Sequence, residues 1–263
     1  MSMLSIVIIE YHCIDDVVNA VTSVKEHLKD IDWEAIVISN SEYDDKGIKA
    51  ITQAVPDARV IINDFNSGYA GGVNRSLQEI DSPYVFLLNP DGLFIDNGMK
   101  VLLDEMESHP EIAAIGPKVV DEDNIVQPSC RRFPKPFTFL LVRSFFRHLP
   151  WASSERRRYL MEDFDRADKK EVDWVSGGAM LLRYDAIKQV GGMDERYFLY
   201  MEDVDWCRQM GEAGWKVMYD PRATVLHAGR HSSISSGLLS IMSQTTRWHL
   251  SSMWKFFRKW GFL

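Results

Sequence analysis

Along the first 117 residues, apolar and polar positions follow two alternating rhythms. Short apolar runs occur at LSIVIIEY (4–11), EAIVIS (34–39), ARVII (58–62), YVFLLN (84–89) and IAAIGP (112–117). Their length and β-branched content predict buried strands. Between them, apolar residues recur every three or four positions, which predicts helices over 15–28, 44–55 and 69–80. A further helix is expected from a cap at Asp96 or Asn97 to about His109, with Pro110 just beyond it. Continuous apolar strands separated by helices predict an α/β fold, with a mostly parallel central sheet covered by helices on both faces. From about residue 128 to 170 the rhythm is lost among prolines and clustered arginines, which predicts a long excursion from the domain. Strand-like pattern resumes at DWVSGGAMLLR (173–183), followed by a helix over 201–213 and a strand ending in ATVLH (223–227).

Composition narrows the class. With 46% hydrophobic and 26% charged residues, the chain has the balance of a globular protein with a sizeable core. No apolar run approaches the roughly 20 residues that span a bilayer. The first residues lack the basic, apolar and small-residue segments of a secretory signal, so a cytoplasmic location is expected. Cys13, Cys130 and Cys207 are scattered without CxxC spacing, and reduced thiols are expected. A net charge of −8 argues against a nucleic-acid partner. The charge is uneven, however. Residues 131–158 carry eight Arg or Lys and one Glu among aromatic residues. The last twenty residues carry Arg247, Lys255, Arg258 and Lys259 without an acid, among Trp248, Trp254, Phe256, Phe257 and Trp260. This C-terminal segment, 236–263, is expected to be an amphipathic helix. It suits either an anionic membrane surface or docking against the protein's own core.

Four stretches carry candidate chemistry. RYFLYMEDVDWC (196–207) places Glu202, Asp203 and Asp205 at the start of a helix. Acids there either complement the helix dipole or supply a reacting carboxylate. NDFNSGYAGGVN (63–74) follows the third strand. Its glycines permit a tight turn, or a close approach of backbone N–H groups to a phosphate. It is not the GxGxxG pattern of dinucleotide-binding proteins. NPDG (89–92) places Asp91 where a buried strand emerges, as a turn residue or as an oxygen ligand for Mg²⁺ or Mn²⁺. His227, ending a later strand, is either a second ligand or a structural donor.

Seven segments, SIVIIEYH, NSGYAGGVN, FLLNPDG, the stretch from SGGAMLLRYDAI through RYFLYMEDVDWCRQMGEAGWKVMYDP, HAGRHSS, CRRFP with VDWVSGGAMLLR, and RWHLSSMWKFFRK, together resemble the family 2 inverting glycosyltransferases. The last two resemble, within that family, the rhamnosyltransferases of bacterial surface-polysaccharide assembly. The resemblance implies a GT-A fold, a nucleotide-sugar donor and one divalent cation, Mg²⁺ or Mn²⁺. It implies a nucleotide-sugar-binding half over 1–117 and an acceptor-binding half over 118–235. Asp203 matches the family's catalytic base, with Glu202 beside it as orienter. Asp91 matches the last Asp of the D-x-D metal motif, whose first position is Asn89 here, and His227 is the second candidate ligand. Tyr11, Ser39 and Asn40 match positions that hold nucleobase and ribose. Ile9, Asn66, Gly72, Asn74 and Asn89 fall on the donor side. Arg131, Arg132, Trp174, Gly177 and Gly178 fall on the acceptor or phosphate side. Ser39 stands where the family usually has Asp, and His12 where it usually has Asn. The implied reaction moves L-rhamnose from dTDP-rhamnose to a polyprenyl-diphosphate-linked saccharide, at the inner face of the cell membrane, to which the enzyme would be bound peripherally. A UDP- or GDP-sugar donor with another acceptor, or a degenerate sugar-nucleotide-binding subunit, are the alternatives.

Overall fold

The computed structural model describes residues 2–136, 138, 150–227 and 244–261, with backbone alone for 150–152. In chain order the elements are β1 (Leu4–Glu10), α1 (Ile14–His27), β2 (Trp33–Ser39), α2 (Asp45–Ala54), β3 (Ala58–Ile62), α3 (Gly68–Leu77), β4 (Tyr84–Leu88), β5 (Gly92–Phe94), α4 (Met99–Ser108), β6 (Ile112–Val120), β7 (Cys130–Arg131), α5 (Pro150–Leu160), β8 (Lys170–Glu171), β9 (Trp174–Val175), β10 (Ala179–Arg183), α6 (Tyr184–Val190), α7 (Glu202–Glu212), β11 (Lys216–His227) and α8 (Gln244–Trp260). Eight strands are ordered β3-β2-β1-β4-β10-β6-β11-β5, and β8 pairs with β11. Strands β1 to β4, β6 and β11 all run one way, while β10, β5 and β8 run against them. The sheet is therefore mostly parallel.

Strand alternation divides the core in two. Leu4, Ile6 and Ile8 of β1 face a cluster with Val17, Val21 and Val24 of α1 and Leu102 and Met106 of α4. Val7 and Ile9 face the other side, with Ala70 and Val73 of α3, Trp206 and Met210 of α7, and Phe256 and Phe257 of α8. Helices thus cover both faces because each strand presents apolar side chains to both.

Three departures from the sequence reading bear on the site. DWVSGGAMLLR is not one strand. It splits into β9, which pairs with β7 in a separate two-stranded sheet, and β10, with Ser176-Gly177-Gly178 between. Because β10 is antiparallel and pairs Ala179 with Leu88, its beginning lies where β4 ends. This brings Gly177 and Gly178 to the edge that carries Asn89 and Asp91. The α4 cap is Gly98; Asp96 instead accepts from the Gly98 N–H at 2.9 Å. Within the 128–170 excursion, β7 and α5 are regular elements; residues 137 and 139–149, with Phe139, Phe145 and Phe146, lie outside the described residues, as do 228–243.

Candidate active site

Ligands of open α/β sheets lie beyond the carboxyl ends of the parallel strands, and there the candidate residues gather. At the end of β1, Tyr11 stands 53% exposed, its ring centroid 4.5 Å from that of His12. Its neighbour Glu10 is completely buried and is a residue that the sequence reading missed. The Glu10 carboxylate accepts from Ser39 Oγ (2.6 Å), Ser41 Oγ (2.8 Å), Tyr43 Oη (2.9 Å) and the Cys13 N–H (2.9 Å). A buried carboxylate without a cation is tolerated when several donors satisfy it. Glu10 pairs with Ser39 in the strand register, so this acid stands beside the position where the resemblance leads one to expect Asp. The visible signal was an acid closing an otherwise apolar strand. Ser39 itself has no exposed surface, and its hydroxyl proton is directed to Glu10.

The wall continues through Asn40, which donates to Gly68 O at 3.0 Å and accepts from Asn63 Nδ2 at 2.7 Å. Asn66 accepts from the Gly68 N–H at 2.9 Å and so shapes the entry to α3. Gly72 lets α3 approach β1, since a Cβ there would come within 2.8 Å of Ile9 Cγ2. Asn74 faces away from this edge. It clamps Met193 through both N–H and carbonyl, each at 2.8 Å, and so joins α3 to the loop before α7.

Across the sheet, Asp91 and His227 meet. Asp91 is buried, and its Oδ1 lies 3.2 Å from His227 Nε2, with Asn89 Nδ2 3.3 Å from the same nitrogen. His227 is held there because β11 pairs it with Gly92. Among the described residues no group of three His, Cys, Asp or Glu side chains could hold a metal ion. One carboxylate and one imidazole converging at this edge are a donor set that fits a divalent cation whose remaining positions are filled by a ligand and water. Gly178 packs against Asn89, since a Cβ on it would come within 2.9 Å of Asn89 Nδ2.

Asp203 lies in a neighbouring cleft of about 350 Å³, lined among others by Arg131, Trp174, Tyr200, Glu202 and His249. The start of α7 aims it. Tyr200 and Met201 both take left-handed backbone (φ 67° and 72°), a conformation that costs non-glycine residues roughly a kcal/mol or more each. Burial of Met201 and a ring contact of Tyr200 with His249 at 4.7 Å hold the turn. Asp203 Oδ2 then accepts from the Gly177 N–H at 3.1 Å, and Oδ1 from the Val204 N–H at 2.8 Å. Tyr69, also unforeseen as a site residue, donates to Gly177 O at 2.6 Å and fixes that loop.

The helix dipole and the two backbone donors favour the ionised form of Asp203. Burial outweighs the Gly177 and Val204 N–H groups and the Arg131 charge, and the Asp203 pKa is raised. Burial, and then the adjacent Asp203 charge, push Glu202 up to about 8. Of the two acids, Asp203 has a backbone N–H donor on each carboxylate oxygen, and these favour its ionised, proton-accepting form. Asp205 does a different job. Fully buried, it accepts from Lys259 Nζ (2.7 Å) and Trp260 Nε1 (2.6 Å) and anchors α8 to α7.

The two arginines part company. Arg132 pairs with Asp173 at 2.8 Å. Arg131 is held by neutral groups: it donates to Pro128 O at 2.9 Å and lies over the Trp174 ring at 5.1 Å. It lines both the Asp203 cleft and a smaller pocket that contains His227 and Gly178. A fixed cation thus stands between the Asp91–His227 edge and Asp203. Trp174 donates to Arg132 O at 3.0 Å, which sets the plane on which Arg131 rests.

Comparison with known proteins identifies the family and the fold. The model of glycosyl transferase family 2 matches residues 5–191. The chain is 32% identical over 213 residues to the N-acetylglucosaminyl-diphospho-decaprenol L-rhamnosyltransferase of Mycobacterium tuberculosis (strain CDC 1551 / Oshkosh), covering 76% of this chain and 68% of that one. It is 26% identical over 185 residues to the rhamnosyltransferase WbbL of Escherichia coli (strain K12), covering 70% and 65%. A crystal structure of GalNAc-T7 with UDP, GalNAc and Mn²⁺ superposes with a TM-score of 0.63 at 15% identity, covering 87% of this chain and 44% of that one, a likeness of fold. The fold is GT-A, and the chain belongs to glycosyl transferase family 2.

Proposed function

We propose that this enzyme transfers L-rhamnose from dTDP-rhamnose, with inversion, to a lipid-diphosphate-linked saccharide. The observation that carries the reading is Asp203, a half-buried carboxylate held by two backbone N–H groups on the lining of a cleft. Inversion needs one base on the acceptor side and stabilisation of the leaving group on the other. Asp203 takes the proton of an acceptor hydroxyl as that oxygen forms its bond to the sugar C1. The bond from C1 to the diphosphate oxygen breaks, and its electron pair leaves with the diphosphate. Arg131, set between the two halves, neutralises developing phosphate charge. Asp91 and His227 would hold a divalent cation, Mg²⁺ or Mn²⁺, which supplies further neutralisation of the diphosphate. Tyr11 would stack on the base, while the Glu10–Ser39–Ser41 network keeps its pocket rigid. Names of the two relatives support the sugar, and that of the mycobacterial one supports the lipid-linked acceptor.

Among the described residues no helix is long and apolar enough to cross a membrane. Peripheral attachment to an anionic surface is proposed through α8, whose outward face exposes Arg247, Leu250, Trp254 and Arg258. The test is calorimetric titration with dTDP, UDP and GDP, with Mn²⁺ or EDTA, followed by transfer from the matching sugar nucleotides. Preference for dTDP, lost in EDTA and in Asp91→Ala, is expected. Tighter binding of UDP or GDP would replace the donor, and binding without turnover of any sugar nucleotide would make the chain a binding subunit.

A further inference from the structure

One wall of the Asp203 cleft comes from α8, far along the chain from the other lining residues. His249, on the inner face of α8, is buried and lines the same cleft as Asp203, Arg131 and Trp174. Its helix is seated by Ser252 Oγ donating to Leu199 O at 3.0 Å, besides the Asp205 anchor to Lys259 and Trp260. A second observation shows that the cleft awaits a polar ligand. Glu202 Oε2 is buried on its lining and has no hydrogen-bond partner among the described residues. An orphaned buried group of this kind is disfavoured unless something bound there satisfies it. A sugar hydroxyl both donates and accepts, so it suits Glu202 in either protonation state, and it suits either nitrogen of an imidazole equally.

We infer that α8 forms a wall of the acceptor site and that His249 hydrogen-bonds a hydroxyl of the acceptor sugar, making it a specificity-determining residue. This rests on the saccharide-acceptor reading above. The experiment uses the full chain, dTDP-rhamnose and a short-chain, water-soluble N-acetylglucosaminyl-diphospho-prenol, which needs no membrane. His249→Ala is expected to raise the acceptor KM about tenfold, the effect of one lost hydrogen bond to a sugar. The dTDP affinity is expected to stay unchanged, and His249→Gln to recover part of the loss. Ser252→Ala loosens the same helix without touching the cleft and is the control. An unchanged acceptor KM in His249→Ala overturns the inference. So does an equal rise in Ser252→Ala, which would make His249 a seating residue only. Absence of transfer by the wild-type enzyme to this acceptor overturns the functional reading itself, and the inference falls with it.

Discussion

At the scale of single residues, the neighbours Glu202 and Asp203 both have raised pKa values, and their hydrogen bonds set them apart. Asp203 has backbone donors on both oxygens, whereas Glu202 Oε2 has none. Asp203→Asn should preserve fold and nucleotide affinity yet lower transfer by roughly 10²–10⁴-fold, the contribution of a positioned base. Near-normal turnover in that variant, measured beside its thermal midpoint, would remove Asp203 from the chemistry. Glu202→Gln should cost less activity and should show a distinct pH signature in stability. The Glu202 pKa rises from 4.5 in the unfolded chain to about 8 in the fold. Between those values the unfolded chain has lost a proton that the folded chain keeps, so the stabilisation present below pH 4.5 declines as pH rises toward 8. Glutamine cannot ionise. Its thermal midpoint relative to wild type should therefore climb from pH 5 to pH 8, by an amount on the order of a few kcal/mol in stability. A difference between the two proteins that is flat with pH would mean that Glu202 is ionised in the fold.

At the scale of elements, α8 is joined to α7 through Asp205, and the four basic residues of its sequence do two different jobs. Lys259 meets buried Asp205, and Lys255 donates to Arg196 O at 2.5 Å, whereas Arg247 and Arg258 face outward. Lys259→Ala should destabilise the enzyme by roughly 1–3 kcal/mol, because it removes the cation from a fully buried carboxylate and leaves it to the neutral donors Tyr197, Gln209 and Trp260. Denaturant titration checks this, and a loss below about 0.5 kcal/mol would class the contact with ordinary surface pairs. The sequence pattern could place the acids at the start of α7 and the basic-aromatic run in a C-terminal helix, since both are local periodicities. It could not say that Asp205 and Lys259, 54 residues apart, share one bond. The same limit explains the other misses. The short strand β5 and the helix α6 carry too few residues for a period to register, and β9 and β10 read as one run because Ser176-Gly177-Gly178 is a short break whose effect shows only in the different pairing partners. Glu10 was visible as an acid in an apolar strand, but its four donors come from later segments of the chain. His249 had no local signal at all. Local rules found Asp91, Asp203 and His227 because each stands at an element boundary, where apolar pattern stops.

At the scale of the whole molecule, charge and position together set how the enzyme would meet its lipid-linked acceptor. A net charge of −8 repels an anionic bilayer, so approach is limited to a face that is locally basic. The face carrying Arg247, Trp254 and Arg258 is such a face, and Arg258 lies over the Trp254 ring at 5.1 Å, with Leu250 and Trp254 more than half exposed. At 100° per residue this stripe lies opposite His249 on the same helix, whose overall diameter is about 10–12 Å. One helix would thus present one side to the headgroups and the other to the Asp203 cleft. An acceptor whose lipid stays in the bilayer would need to extend its sugar only about a helix diameter to reach the base. The consequence is a separation of effects between two forms of acceptor. Reversing Arg247 and Arg258 to Glu should release the protein from anionic vesicles, since each cation near such a surface contributes about 1 kcal/mol and reversal replaces attraction with repulsion. Transfer to a long-chain acceptor embedded in those vesicles should fall by at least tenfold. Transfer to a short-chain, soluble acceptor should stay within twofold of wild type, because neither arginine lines the Asp203 cleft. Salt should mimic the reversal on vesicles, as exposed charges are screened beyond about 8 Å at 0.15 M. Equal loss on both acceptors would place the arginines in the seating of α8. No loss on either would leave α8 as a wall of the acceptor site that has no part in meeting the membrane.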